Sequence, residues 1–223
     1  MYGGARQHHQ LESPQQTDMF LLGDIGDYKD IGDAVALGVA ALVGIDASIL
    51  LSRTAGVGGY SMNAYFDTFG LEGITLQASL ILIILQGARW FYSTMYAAGN
   101  KPWSPFVFVC VVLAVQVVHD LSFYHGVLTT VPAGKNELID ALKRYAAENG
   151  SRAITGHSAC LIGVCVLAMW LKESSALFTF IIFIGSLYAL PFLLSTYGPR
   201  PPPPTPPSPK KDPFEQRLTG PRI

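Results

Sequence analysis

Charge is what this sequence has least of. Only 14% of its 223 residues are Asp, Glu, Lys or Arg, against about 25% in soluble domains. The shortage is local as well as global: from 74 to 93 the one ionic side chain is Arg89, and from 104 to 130 it is Asp120. A water-soluble fold has no means of covering runs that long, so the pattern predicts a polytopic membrane protein. An excess of either sign is also missing. The net charge is −1, which points to no polyanionic partner and to no nucleic acid. Cysteine is scarce: Cys110, Cys160 and Cys165 all fall inside apolar runs, where a thiol acts as a small hydrophobe, so no disulfide is expected. The polar stretch 1–18 lacks the apolar region of a secretory signal, so insertion is expected to use an internal span.

What the chain does have is apolar length. Half its residues are hydrophobic and its mean hydropathy is +0.33. Candidate spans are 34–52, 74–92, 104–128, 153–171 and 175–197, which predicts an all-α bundle of four to five transmembrane helices over 34–197. The first is the weakest, because Asp46 interrupts it and a carboxylate at a helix centre costs about 2.5 to 3.5 kcal/mol. The second ends in Arg89, Trp90 and Tyr92, read as an interfacial anchor. The third starts behind Pro102 and Trp103, with Pro105 in its first turn. Only Lys172, Glu173 and Ser174 separate the last two, which predicts a tight antiparallel hairpin.

Between the spans, 54–73 is too polar to cross and too apolar for an ordinary loop, and is expected at the membrane interface. Within it, the GVGGY stretch at 56–60 reads as a turn. Residues 135–150 read as an amphipathic surface helix, with Leu138, Ile139, Leu142, Tyr145 and Ala146 on one stripe and Gly150 as its stop. Lys135, Asn136, Asp140, Lys143 and Arg144 form its polar side, with Asp140 and Arg144 four apart in the supportive order. With five spans, ten of the fifteen Lys and Arg fall on one side, in the 135–152 loop, at Arg53 and in the tail. That side is expected to face the cytosol; should 34–52 not span, only the N-terminus changes side.

The most polar intramembrane feature is His119, Asp120, Tyr124 and His125, with His157 at similar depth in the next span. Buried ionisable groups are a functional hypothesis by default. Against it stands a structural polar network between helices, the stronger reading so close to the interface. The usual metal and redox spacings are missing, and no catalytic, cofactor or metal site is expected. In the polar segment 1–33, Asp-Ile-Gly-Asp occurs at 24–27 and again at 30–33. It fails the calcium-loop pattern, and Asp33 is read as the N-cap of the first apolar helix.

The segment 198–223 holds ten of the fifteen prolines. A run such as RPPPPTPPSP favours polyproline II at about 3.1 Å per residue, a semi-rigid spacer. Arg200, Pro203 and Pro206 match the RxxPxxP arrangement read by SH3 domains, and Pro206, Pro209 and Lys211 match the reverse orientation. Pro201, Pro204 and Pro207 fill the run, and Lys210, Phe214 and Leu218 supply anchors beyond it, so the segment is read as a partner-binding arm. A solvated tail is the alternative.

The stretch 119–150, followed by an apolar hairpin, resembles small multispanning membrane proteins encoded by nucleocytoplasmic large DNA viruses, the giant viruses of algae and protists. Asp120, Phe123, Tyr124, Gly134, Lys135, Asn136, Glu137, Ile139, Asp140, Lys143, Tyr145, Ala146, Glu148, Asn149 and Gly150 carry the likeness. The proline segment and the acidic repeat lie outside it. The resemblance implies a protein of an internal, host-ER-derived virion membrane, without known catalytic activity, whose C-terminal side faces the capsid. The leading expectation is therefore a structural tether, a minor capsid component joining bilayer to protein layer. The other readings are a small membrane enzyme or transporter using His119, Asp120, Tyr124 and His157, and an adaptor recruiting SH3 or WW domains.

Overall fold

The computed structural model describes residues 22–198. The expected partner-binding residues Arg200, Pro201, Pro203, Pro204, Pro206, Pro207, Pro209, Lys210, Lys211, Phe214 and Leu218 lie outside the described residues, as does 1–21 of the N-terminal segment.

The fold is all-α. Among the described residues six α-helices follow in order: α1 (Ala34–Ala55), α2 (Gly59–Phe91), α3 (Pro105–Phe123), α4 (Glu137–Asn149), α5 (Ser151–Glu173) and α6 (Ala176–Ser195). All but α4 belong to five segments long and apolar enough to cross a membrane, the signature of a multi-span integral membrane protein. Helix α3 starts as its sequence predicts: the Ser104 side chain caps Val107 N–H, and Pro105 sits where no intrahelical donor is needed. Helix α4 is capped by Asn136, whose side chain accepts from Ile139 N–H at 3.0 Å.

Helices α1, α2, α3 and α5 close a ring, each packed on two neighbours, while α6 packs on the outside of α1 and α4 lies across one end against α2 and α5. The core follows from residue size. Ala36, Ala40 and Ala41 on α1 bring it close to its neighbours, and Ile45, Ile49, Ile84, Leu85, Leu161 and Val164 fill the interior. Gly44 is a tight approach, since a Cβ there would lie 2.5 Å from Val164 on α5.

Three expectations are revised, and one segment gains a definite structure. The segment 54–73 is mostly helix: after the Gly56 and Gly58 turn, α2 starts at Gly59 and kinks at Gly70, where φ is 46° and ψ −118°. The helix forms there because Tyr65 and Phe66 are buried and the Tyr65 hydroxyl bonds Gly73 O across the kink at 2.9 Å. Helices α5 and α6 follow each other closely but do not form a tight hairpin, because α6 packs along α1 instead. The Arg89, Trp90, Tyr92 set is not one interfacial anchor, since Arg89 and Tyr92 are buried and Trp90 alone is exposed. Finally, the Asp140 carboxylate accepts from Gly134 N–H at 2.8 Å, fixing the α4 approach loop in place of a pairing with Arg144.

Candidate functional site

Among the described residues, three polar nodes and a separate Asp46–Ser186 hydrogen bond join the helices. The one anticipated in the sequence sits at the α3–α5 contact. Phe108, Val112, Gln116 and Asp120 recur every fourth residue on α3, so the last two follow the buried apolar pair down one face. The Asp120 carboxylate faces three side-chain donors. His119 Nδ1 lies 3.2 Å from Oδ1, while His157 Nδ1 at 3.1 Å and the Gln116 amide at 2.7 Å share Oδ2. Gln116 is fully buried and also accepts from the Ser158 hydroxyl at 2.7 Å. A carboxylate accepting only needs such donors to leave water.

His119, Asp120 and His157 are thus brought together, and Tyr124 is not. The helix widens into a π turn from Tyr124 to Leu128, and the Tyr124 ring turns outward, meeting His125 edge-on at 5.2 Å. Tyr145 on α4 is the aromatic residue beside the acid. Its burial, and then the Asp120 charge, hold the phenol above its ordinary pKa. Gln116, Ser158 and Tyr145 were missed in the sequence. The fourfold spacing from Gln116 to Asp120 was the available signal for the first.

The second node, at the opposite end, was not anticipated. Asp33 is not a side-chain cap of α1; Asp30 caps the preceding 3₁₀ turn through Gly32 N–H, which frees Asp33 to point inward. Its carboxylate meets Arg89 of α2 at 2.7 Å and Lys172 of α5 at 2.7 Å, with Asp33 and Arg89 side chains only 2% and 3% exposed. Arg89 also donates to the carbonyls of Asp27 and Asp30, and Lys172 to that of Asp24. The acidic repeat itself is a chain of turns: Asp24, Asp27 and Asp30 each accept from the N–H two residues on. The clamp therefore straps residues 24–33 across three spans, helped by Trp103 N–H on Leu22 O at 3.2 Å.

The third node surrounds α4. Glu148 accepts from the Tyr60 and Ser61 N–H groups at 2.8 and 2.7 Å, capping α2 from another helix. The nearby Ser61 hydroxyl and those two N–H groups hold its carboxyl below the usual range, against a desolvation that raises it. Asn149 donates to Gly58 O at 2.9 Å. Below lies the buried Arg53, on Asn63 at 3.2 Å and Asp67 at 2.6 Å. Of the predicted polar side of α4, Lys143 donates to Val131 O, while Lys135 and Arg144 are exposed. Midway along the bundle, Asp46 of α1 accepts from the Ser186 hydroxyl of α6.

No group of three or more metal-capable side chains is found among the described residues. No family model matches the chain, and no match is found among curated proteins or solved structures.

Proposed function

We propose that the chain is a structural membrane anchor that ties a bilayer to a protein layer through its proline-rich segment. The observation that carries this reading is where the chain leaves the bundle. Beyond α6, Gly198 runs against the Asn63 side chain, so close that an added Cβ would overlap it. The described chain therefore ends at the end of the bundle that bears α4, with Lys135, Lys143 and Arg144. Lys and Arg are concentrated at this end and in the tail, which makes it the cytosolic side by the positive-inside rule. Under this reading α4 lies along the interface with its polar side toward the protein layer. The likeness of 119–150 to giant-virus membrane proteins makes the bilayer a virion inner membrane and the layer its capsid.

Crosslinking from Lys210 and Lys211 in the native membrane or particle, read by mass spectrometry, tests this. Repeated links to one class of structural protein are expected, and removal of 199–223 should abolish them. Links confined to this chain would overturn the reading.

One observation favours a second reading, a proton-handling membrane protein: two imidazoles share the Asp120 carboxylate. Proton flux in proteoliposomes that disappears in Asp120→Asn, with thermal stability kept, would support it. Absence of flux in the unaltered protein would remove it.

A further inference from the structure

Helices α5 and α6 are joined through Ser174 and Ser175 alone, and Trp170 meets Phe178 edge-on beside that turn at 5.2 Å. Away from it the two helices do not pack side by side; each leans on α1. The space this leaves over the first turns of α1 is a groove of about 800 Å³, within the range of roughly 300–1,000 Å³ typical of ligand sites. Its walls are apolar, with Gly38 and Val39 on α1 facing Phe180 and Phe183 on α6, and its rim carries Asp30 and Lys172. Walls of this kind repel water. Between spanning helices the material at hand to fill them is an acyl chain.

The rim specifies the headgroup. The ionisable residues that line it, Asp30, Asp33 and Lys172, sum to −1, so an anionic headgroup gains nothing there. The Asp30 side chain is 46% exposed, and its Oδ2 is held only by a 3.4 Å contact with Lys172. That oxygen can accept from an incoming donor. A primary ammonium carries N–H donors, as the lysine side chain does; a quaternary ammonium has none.

We propose that this groove binds an amine-bearing phospholipid, one acyl chain between α1 and α6, the ammonium on the Asp30 carboxylate and the phosphate beside Lys172. The site stands independently of the tether reading, since it lies at the opposite end of the bundle from Gly198.

The test uses the full chain in detergent, offered equal amounts of phosphatidylethanolamine, phosphatidylcholine and phosphatidylglycerol with identical acyl chains, with retained lipid read by native mass spectrometry. Phosphatidylethanolamine should be retained about tenfold over the others, the equilibrium ratio that corresponds to a charge-assisted hydrogen bond of modest strength. Asp30→Asn, which keeps the oxygen that accepts from Gly32, should level the three. Gly38→Phe should lower retention of all three, because a Cβ at Gly38 meets nothing within 4 Å and the ring would fill the groove. Equal retention by the unaltered protein, or a preference that survives Asp30→Asn, overturns the proposal. A photo-crosslinker at Val35, which lines the groove and is exposed, should label lipid; labelling of peptide 1–21 instead would overturn the assigned occupant.

Discussion

Asp33 and Asp120 are both carboxylates drawn among spanning helices, and they are satisfied by different chemistry. Asp33 faces a guanidinium and an ammonium, is almost wholly buried, and lies where α1, α2 and α5 meet. Asp120 faces two imidazoles and an amide, keeps 19% of its side chain exposed, and joins only α3 to α5. The permanently charged partners permit deeper burial, because a buried carboxylate left without opposite charge is costly. The imidazole node is closer to water and needs only hydrogen bonds. The clamp should therefore carry stability, and the histidine node should tune it.

Replacing one partner on each side breaks or sharpens that contrast. Arg89→Met leaves Asp33 on Lys172 alone and frees the carbonyls of Asp27 and Asp30; a loss of about 3–5 kcal/mol is expected in mixed-micelle unfolding. Asp120→Ala removes the acceptor shared by the Gln116 amide and both imidazoles, for about 1–3 kcal/mol by the same measurement. Should Asp120→Ala cost more than Arg89→Met, the ranking of the two nodes is wrong. Among the imidazoles, His157→Ala should cost about 1 kcal/mol and His119→Ala less, because His157 crosses from α5 to α3 whereas His119 adjoins its acceptor on one helix.

The smallest effect is expected at Glu148, and it has a defined pH dependence. Its carboxyl is lowered from an ordinary value of 4.5, so the folded state favours the ionised form. The latch between α4 and α2 is thus complete above pH 4.5 and is lost as pH falls through the lower folded-state value. Hydrogen exchange of α4 amides should rise over that acidic window, and Glu148→Gln should show faster exchange at neutral pH with the acid-dependent increment gone. An unchanged acid increment in Glu148→Gln would assign it to another group.

Much of this fold was legible because the membrane imposes a coarse rule. Long apolar runs must become helices, so the five spanning segments follow from hydropathy, and Pro105 marked the first turn of α3. The 54–73 segment was less legible: its polar side chains, Asn63 among them, bond to α1, and composition does not show a partner. The histidine node was partly visible because its ionisable residues stand out in an apolar run. The clamp was not. Its three charges are 56 and 83 positions apart, from Asp33 to Arg89 and from Arg89 to Lys172, and each has an ordinary local reading as a cap, an interfacial anchor and a turn lysine.

By itself the sequence determined where the four to five apolar runs lie and that Pro105 stands in the first turn of α3, because these depend on runs of neighbouring residues. Only the tertiary structure decided which helix packs on which, that α6 prefers α1 to its neighbour α5, and that Asp33 meets Arg89 and Lys172. Those outcomes depend on how side-chain volumes and charges from distant segments fit together once the backbone hydrogen bonds inside each helix are satisfied.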